Sequence, residues 1–222
     1  MIVAASHTLL TSQVAPAPEA FQDLLKAIKQ CRLCVECPRN GKPLPHAPRP
    51  VLQASPSASI CIVGQAPGLR VHHSGRPFTD PSGMRLRSWL NMDEATFYDP
   101  ARVALVPMGF CFPGYSASKS DLPPRVECTV WRERIFAQMP HLKLMVILGG
   151  HAQRWHLGPA VAKRGVNEVV ASWRDYLEGP HGVRRFVLPH PSWRNNAWLK
   201  RNPWFAEEVL PVLRQDVAKA LG

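Results

Sequence analysis

Four apolar runs of strand length, three of them running directly into a loop that bears glycine or proline, constrain this chain more than any other feature. They are ASICIVG (58–64), RVALVPMGF (102–110), KLMVILGG (143–150) and RRFVLPH (184–190). Each run is nearly continuous in apolar character rather than alternating, the pattern of strands buried on both faces. Stretches long enough for a helix or an extended loop separate them. The expected fold is therefore a three-layer α/β/α sandwich around a central, mainly parallel four-stranded sheet. In sheets of this kind the functional loops gather at the carboxyl ends of the strands. Gly64–Gly83, Pro107–Gly114 and Pro189–Asn196 are expected to meet there in one crevice.

The segments between the strands carry helical signals. Phe21, Leu24, Leu25 and Ile28 recur at helical spacing after Pro18, and MRLRSWL reads as the helix following the first long loop. PPRVECTVWRERIFAQM reads as a helix begun by prolines, which the first turn tolerates. The last segment, NPWFAEEVLPVLRQDVAKALG, can turn Trp204, Val209, Val212, Leu213 and Val217 toward a core, with a kink expected at Pro211. CRLCVECPRNGKPLPHAPRP is too rich in proline and cysteine to be regular. Residues 1–17 show no periodicity and are expected to form a loose arm, leaving 18–222 as one domain. A length of 222 residues is ordinary for that.

Charge narrows the choice of partner. Lys+Arg 27 against Asp+Glu 16 leaves +11, an excess that favours a polyanion such as nucleic acid through counterion release. A merely basic surface is the competing explanation. No run approaches the ~18 consecutive apolar residues of a membrane span. The first residues lack the basic start of a secretory signal, so a cytoplasmic monomer is the expectation. Six cysteines in a reducing compartment suggest metal or cluster ligation, or buried thiols, rather than disulfides.

Three short stretches could carry chemistry. GQAPG (64–68) is a strand-to-loop turn in which glycine permits close backbone approach; it is not a dinucleotide fingerprint. SGRPFTDPSG places Phe78 in a rigid polar loop, where it could stack on a planar ligand or tuck into the core. FVLPHPSWRNN fixes His190 between Pro189 and Pro191, which restrict the backbone that carries it. Among the cysteines, CRLCVEC admits a zinc site that includes Cys37, and free thiols remain a third reading. Cys61, in the middle of SICIVG, reads as a small core residue.

GQAPG followed by SGRPF, with LPHPSWRN at the last strand, resembles the uracil-DNA glycosylases, and within them the iron–sulfur family 4-like group of bacteria and archaea. The likeness runs in order from about Cys31 to Phe205. It implies a monofunctional DNA glycosylase that hydrolyses uracil from single- or double-stranded DNA and leaves an abasic site. It assigns His190 the role of stabilising the departing base, Phe78 that of stacking on it, and backbone groups near Gln65 and Ala66 that of contacting it. Ser192 would meet a phosphate, while Trp193 or Arg194 would fill the gap left in the duplex. Arg70, Arg76, Arg194, Lys200 and Arg201 are the cations expected on the DNA backbone. The group's [4Fe-4S] cluster would fall to Cys31, Cys34, Cys111 and Cys128, the last two with sixteen residues between them.

Two departures from the group bear on mechanism. The acidic residue of the first motif is replaced by Gln65, and Ala66 stands where other members carry aspartate. Asp80, then His73 and His72, are the alternative groups for supporting the water or the sugar cation. The base-reading asparagine is replaced by Pro107, so recognition is expected to fall to backbone groups of Met108, Gly109 and Phe110. Broader acceptance of hypoxanthine or xanthine follows as an alternative. Two non-catalytic readings also stand: a binder of damaged or abasic DNA on the same scaffold, and a cluster- or zinc-bearing regulatory protein.

Overall fold

The computed structural model describes residues 20–39 and 41–222. The expected arm, residues 1–17, lies outside them. Four strands form one sheet: β1 (Ile60–Val63), β2 (Val103–Leu105), β3 (Leu144–Leu148) and β4 (Arg184–Leu188). Their order is β2-β1-β3-β4 and every pairing is parallel. The register aligns Ile62 with Leu105 and with Val146, and Leu148 with Leu188. β1 and β2 are buried along their whole length, as their continuous β-branched and leucine character requires.

The helices are α1 (Phe21–Lys29), α2 (Leu33–Glu36), α3 (Leu69–Ser74), α4 (Pro81–Leu90), α5 (Glu94–Phe97), α6 (Thr129–Phe136), α7 (Gly149–Leu157), α8 (Val166–Ala171), α9 (Asn196–Arg201) and α10 (Leu210–Leu221). They flank the sheet to give the three-layer sandwich. Phe21, Leu24 and Ile28 of α1 join the main core, as their spacing predicts. No helix among the described residues is long and apolar enough to cross a membrane.

Several elements differ from the sequence expectation. β2 ends at Leu105 because Pro107 has no N–H to continue the ladder. The chain beyond it follows the loop after β1 instead, through Met108 N–H to Gly64 O (2.8 Å) and Gly109 N–H to Gln65 O (2.9 Å). Pro123 and Pro124 precede their helix rather than start it: a 3-10 turn over Val126–Cys128 leads into α6. The cysteine-rich segment contains the single turn α2. The kink expected at Pro211 takes the form of a π-helical turn, Phe205–Val209, which widens the helix where the proline ring would meet a carbonyl and places Pro211 in the first turn of α10.

The chain leaves β1 for β2 on one side and reaches β3 on the other. Between β1 and β3, therefore, the loops at the carboxyl ends diverge and leave a crevice.

Candidate active site

That crevice holds a cavity of about 400 Å³. Ile62, Leu105, Val51 and Val71 give it apolar walls, and the loops after β1 and β4 supply its polar groups: Gln65, Asp80, His190, Ser192 and Arg194. The loops after β1 and β4 meet there as expected, while of the loop after β2 Pro107 alone reaches the cavity.

His190 is held from three directions. Its carbonyl accepts from Asn195 Nδ2 at 2.6 Å, and Arg85 donates to the Ser192 carbonyl at 3.0 Å. Behind it stands Gly149, at φ +76, where any Cβ would lie 3.6 Å from the Cβ of His190. Burial lowers the pKa of the imidazole, outweighing the opposite pull of Asp80 and Asp121. The ring is therefore neutral near pH 7 and can donate one N–H to a forming anion.

Phe78 lines the same cavity with its backbone at φ +54, a left-handed conformation that bulky residues rarely adopt. Its surroundings keep it there. Tyr98 Oη donates to the carbonyls of Pro77 (2.8 Å) and Phe78 (3.1 Å). The ring packs edge-on against Phe97 at 6.0 Å. The Phe78 carbonyl presses on Gly83 so closely that a Cβ there would lie 1.8 Å from the oxygen.

Asp80 occupies the N-cap position of α4, yet its side chain makes no capping hydrogen bond; its carboxylate lines the cavity. Asp121 also lines the cavity, from the loop between Cys111 and Cys128. No motif marks this residue, and sequence reasoning missed it. Leu122, its neighbour, donates to Gly114 O at 2.9 Å and accepts from Gln65 Nε2 at 3.5 Å. The side chain that replaces the expected acid thus tethers a loop that brings one in.

Other expected residues divide. Ala66, Ser192, Trp193 and Arg194 line the cavity, and Trp193 is 73% exposed at its mouth. His73 is exposed and does not line it; α3 turns the ring outward, and His72 packs on His46 at 4.7 Å instead. Gly109 stays out as well. The N–H groups of Met108, Gly109 and Phe110 are all engaged, the last with Cys128 Sγ at 3.3 Å, so none can read a base edge. Those of Gln65 and Ala66 make no hydrogen bond among the described residues. Arg70, Lys200 and Arg201 are exposed but outside the cavity. Arg76 pairs with Glu94 at 3.2 Å and lies 3.5 Å over the Tyr98 ring, which commits it to the loop's architecture.

The four selected cysteines converge from α2, the end of β2 and the start of α6. The Cys34 and Cys128 thiols lie close enough to act on each other, an interaction that raises the pKa of Cys128 and lowers that of Cys34. Cys111 lies in electrostatic reach of Cys34 and Cys31, and burial pushes its pKa up to about 12. Trp131 Nε1 donates to Cys31 Sγ at 3.2 Å. Cys37 is exposed, and Cys61 is buried in β1. Among the described residues no three Cys, His, Asp or Glu groups form a set for a single metal ion.

A neutral histidine, a fixed aromatic and two carboxylates around one cavity can stabilise opposite charges that develop on either side of a breaking bond. The family model of the uracil DNA glycosylase superfamily matches residues 52–214, well over half of the chain and all four strands. The chain belongs to the uracil DNA glycosylase superfamily.

Proposed function

We propose that the protein is a monofunctional DNA glycosylase that hydrolyses the N-glycosidic bond of uracil in DNA. The observation that carries this reading is the single cavity in which a neutral His190 and the positioned Phe78 meet. An extruded base stacks on Phe78, and the unengaged N–H groups of Gln65 and Ala66 are available to its carbonyl oxygens. As the bond breaks, its electron pair stays with the base, and His190 donates a hydrogen bond to the oxygen that becomes negative. Asp80 and Asp121 stabilise the sugar cation; one of them takes the proton of the water that adds to the anomeric carbon.

Base preference is the open side of this site. Pro107 has no amide, and the neighbouring backbone donors are already used. This favours tolerance of other deaminated bases, hypoxanthine and xanthine, beside uracil. Single-lesion oligonucleotides, treated with alkali after incubation, test both points. Cleavage at uracil supports the reading, cleavage at all three lesions supports the broader one, and intact strands throughout favour a non-catalytic DNA binder.

Cys31, Cys34, Cys111 and Cys128 fit a [4Fe-4S] cluster. Four thiols converge, two of them already receive N–H donors, and such donors stabilise thiolate ligands. A cubane spreads its ligands over four corners, more widely than a single ion does. When bound it would clamp the segment around α2 to the β2 loop, a structural role outside the reaction. Iron analysis and absorption near ~400 nm, the region of thiolate-to-iron charge transfer, check this on freshly purified protein.

A further inference from the structure

A second cavity, of about 290 Å³, opens beside the first, and the proposed reaction does not use it. Met108, Arg125, Thr129, Arg132, Arg154 and Trp155 account for most of its wall, and among the described residues no carboxylate lines it. Arg125 is already paired with Glu127 at 3.0 Å. Among the described residues neither Arg132 nor Arg154 forms an ion pair with a carboxylate, although Glu133 and Cys128 act on Arg132 electrostatically.

Arg132 is the less usual of the two. It is only 2% exposed, donates to the Met108 carbonyl and to Thr129 Oγ1 (3.2 Å), and leaves its Nε without a partner. Burying a guanidinium is costly unless an anion compensates it, and arginine does not escape by losing its proton. Nearby, His151 accepts from Arg154 at 3.3 Å and stays neutral, since burial and that arginine lower its pKa. The cavity thus keeps a net positive charge from fixed groups.

Trp155 contributes the aromatic surface, 38% exposed, with the Arg132 guanidinium 4.8 Å from its ring centre. Uncompensated cations select an anion, and an aromatic face beside them favours a nucleotide over a bare inorganic ion. The two cavities are also linked through neighbouring residues of the chain. Pro107 lines the first and Met108 the second; Gly149 backs His190 while Arg154 and Trp155 project from the same helix, α7.

We propose that the second cavity is an ancillary nucleic-acid subsite, in which Arg132 and Arg154 hold a backbone phosphate of the lesion-bearing strand and Trp155 receives the face of an adjacent unpaired base. The subsite extends the reading of the first cavity as a nucleotide site, but its occupancy is measurable whether or not any base is released.

Fluorescence anisotropy with labelled single strands carrying a central tetrahydrofuran abasic analogue tests it, comparing strands of about 5 and about 20 nucleotides. The wild-type protein should bind the long strand at least about tenfold more tightly than the short one. Arg154→Ala and Trp155→Ala should each cut that advantage about three- to tenfold. Arg154→Ala should also lower the slope of log Kd against log salt by about one, and Arg154→Lys should restore it. Circular dichroism checks that the variants fold. Equal wild-type affinity for both lengths, or equal weakening of both by the variants, overturns the proposal. A length advantage that depends on Arg154 and Trp155, without base release in the alkali assay, sinks the glycosylase reading and leaves this one standing.

Discussion

The two cavities share one edge of the sheet and differ in the sign of the charge they hold. The first surrounds His190 with Asp80 and Asp121; the second contains Arg132 and Arg154 and no acid. Carboxylates that steady a sugar cation also repel phosphates, and arginines that hold phosphates would oppose the developing positive charge on the sugar. Placing the groups in adjacent pockets lets each act without cancelling the other. A net charge of +11 on the whole chain therefore says less about binding than two arginines that, among the described residues, have no carboxylate in ion-pair contact.

The sharpest break in this comparison should come from His190→Ala. Single-turnover base release is expected to fall on the order of a hundredfold or more, the loss typical of one preorganised donor to an anion. A rate near the wild type would remove the first cavity from the chemistry. Next in size is Asp121→Asn, expected to slow release roughly tenfold to a hundredfold. Removing the negative charge should also tighten binding of an uncleavable strand by about threefold, as electrostatic complementarity improves. Slower release together with tighter binding would establish the division of roles; Asp80→Asn gives the matching measurement on the other wall.

A smaller effect concerns the histidine behind Trp155. Burial lowers the pKa of His156 to about 3, with Arg132 and Arg185 adding to the shift, and its Nε2 has no partner. The unfolded chain takes up that proton near pH ~6.5, so stability should decline as pH falls from there toward 3. Thermal melting across this range should show a shallower decline for His156→Gln. His190 shifts in the same direction, so some slope should remain. Smallest of all should be Arg76→Ala. This arginine is exposed and already paired with Glu94, so DNA affinity should stay within about twofold of the wild type.

The sheet was legible because its strands are continuous apolar runs, and the crevice because three of them lead into proline- and glycine-bearing loops. His190, Phe78, Gln65 and Ala66 could be placed at strand ends by chain order alone. Asp121 could not: its loop has no period or motif, and it is held in place by long-range contacts, Leu122 N–H to Gly114 O and Gln65 Nε2 to Leu122 O among them. His73 misled because one turn of helix decides which of two adjacent histidines faces inward, and neither lines the cavity. The start of α7 was hidden because Gly149 and Gly150 read as the end of a strand, whereas Gly149 turns the chain through positive φ directly into the helix. Helix α9 and the second cavity had no signal in local patterning, since the cavity is assembled from three separate segments.

The contact between Phe78 and Gly83 limits how this pocket can be altered. Even a methyl group at 83 would collide with a backbone oxygen, which cannot swing aside as a side chain can. Position 83 is therefore closed to any residue bearing a Cβ unless the backbone at 78 moves with it. On the opposite side, around Pro107 and the loop bearing Asp121, the tightest such contact is looser, a Cβ at Gly109 lying 3.2 Å from the Arg125 nitrogen, and attempts to retune which nucleobase is accepted have more room there.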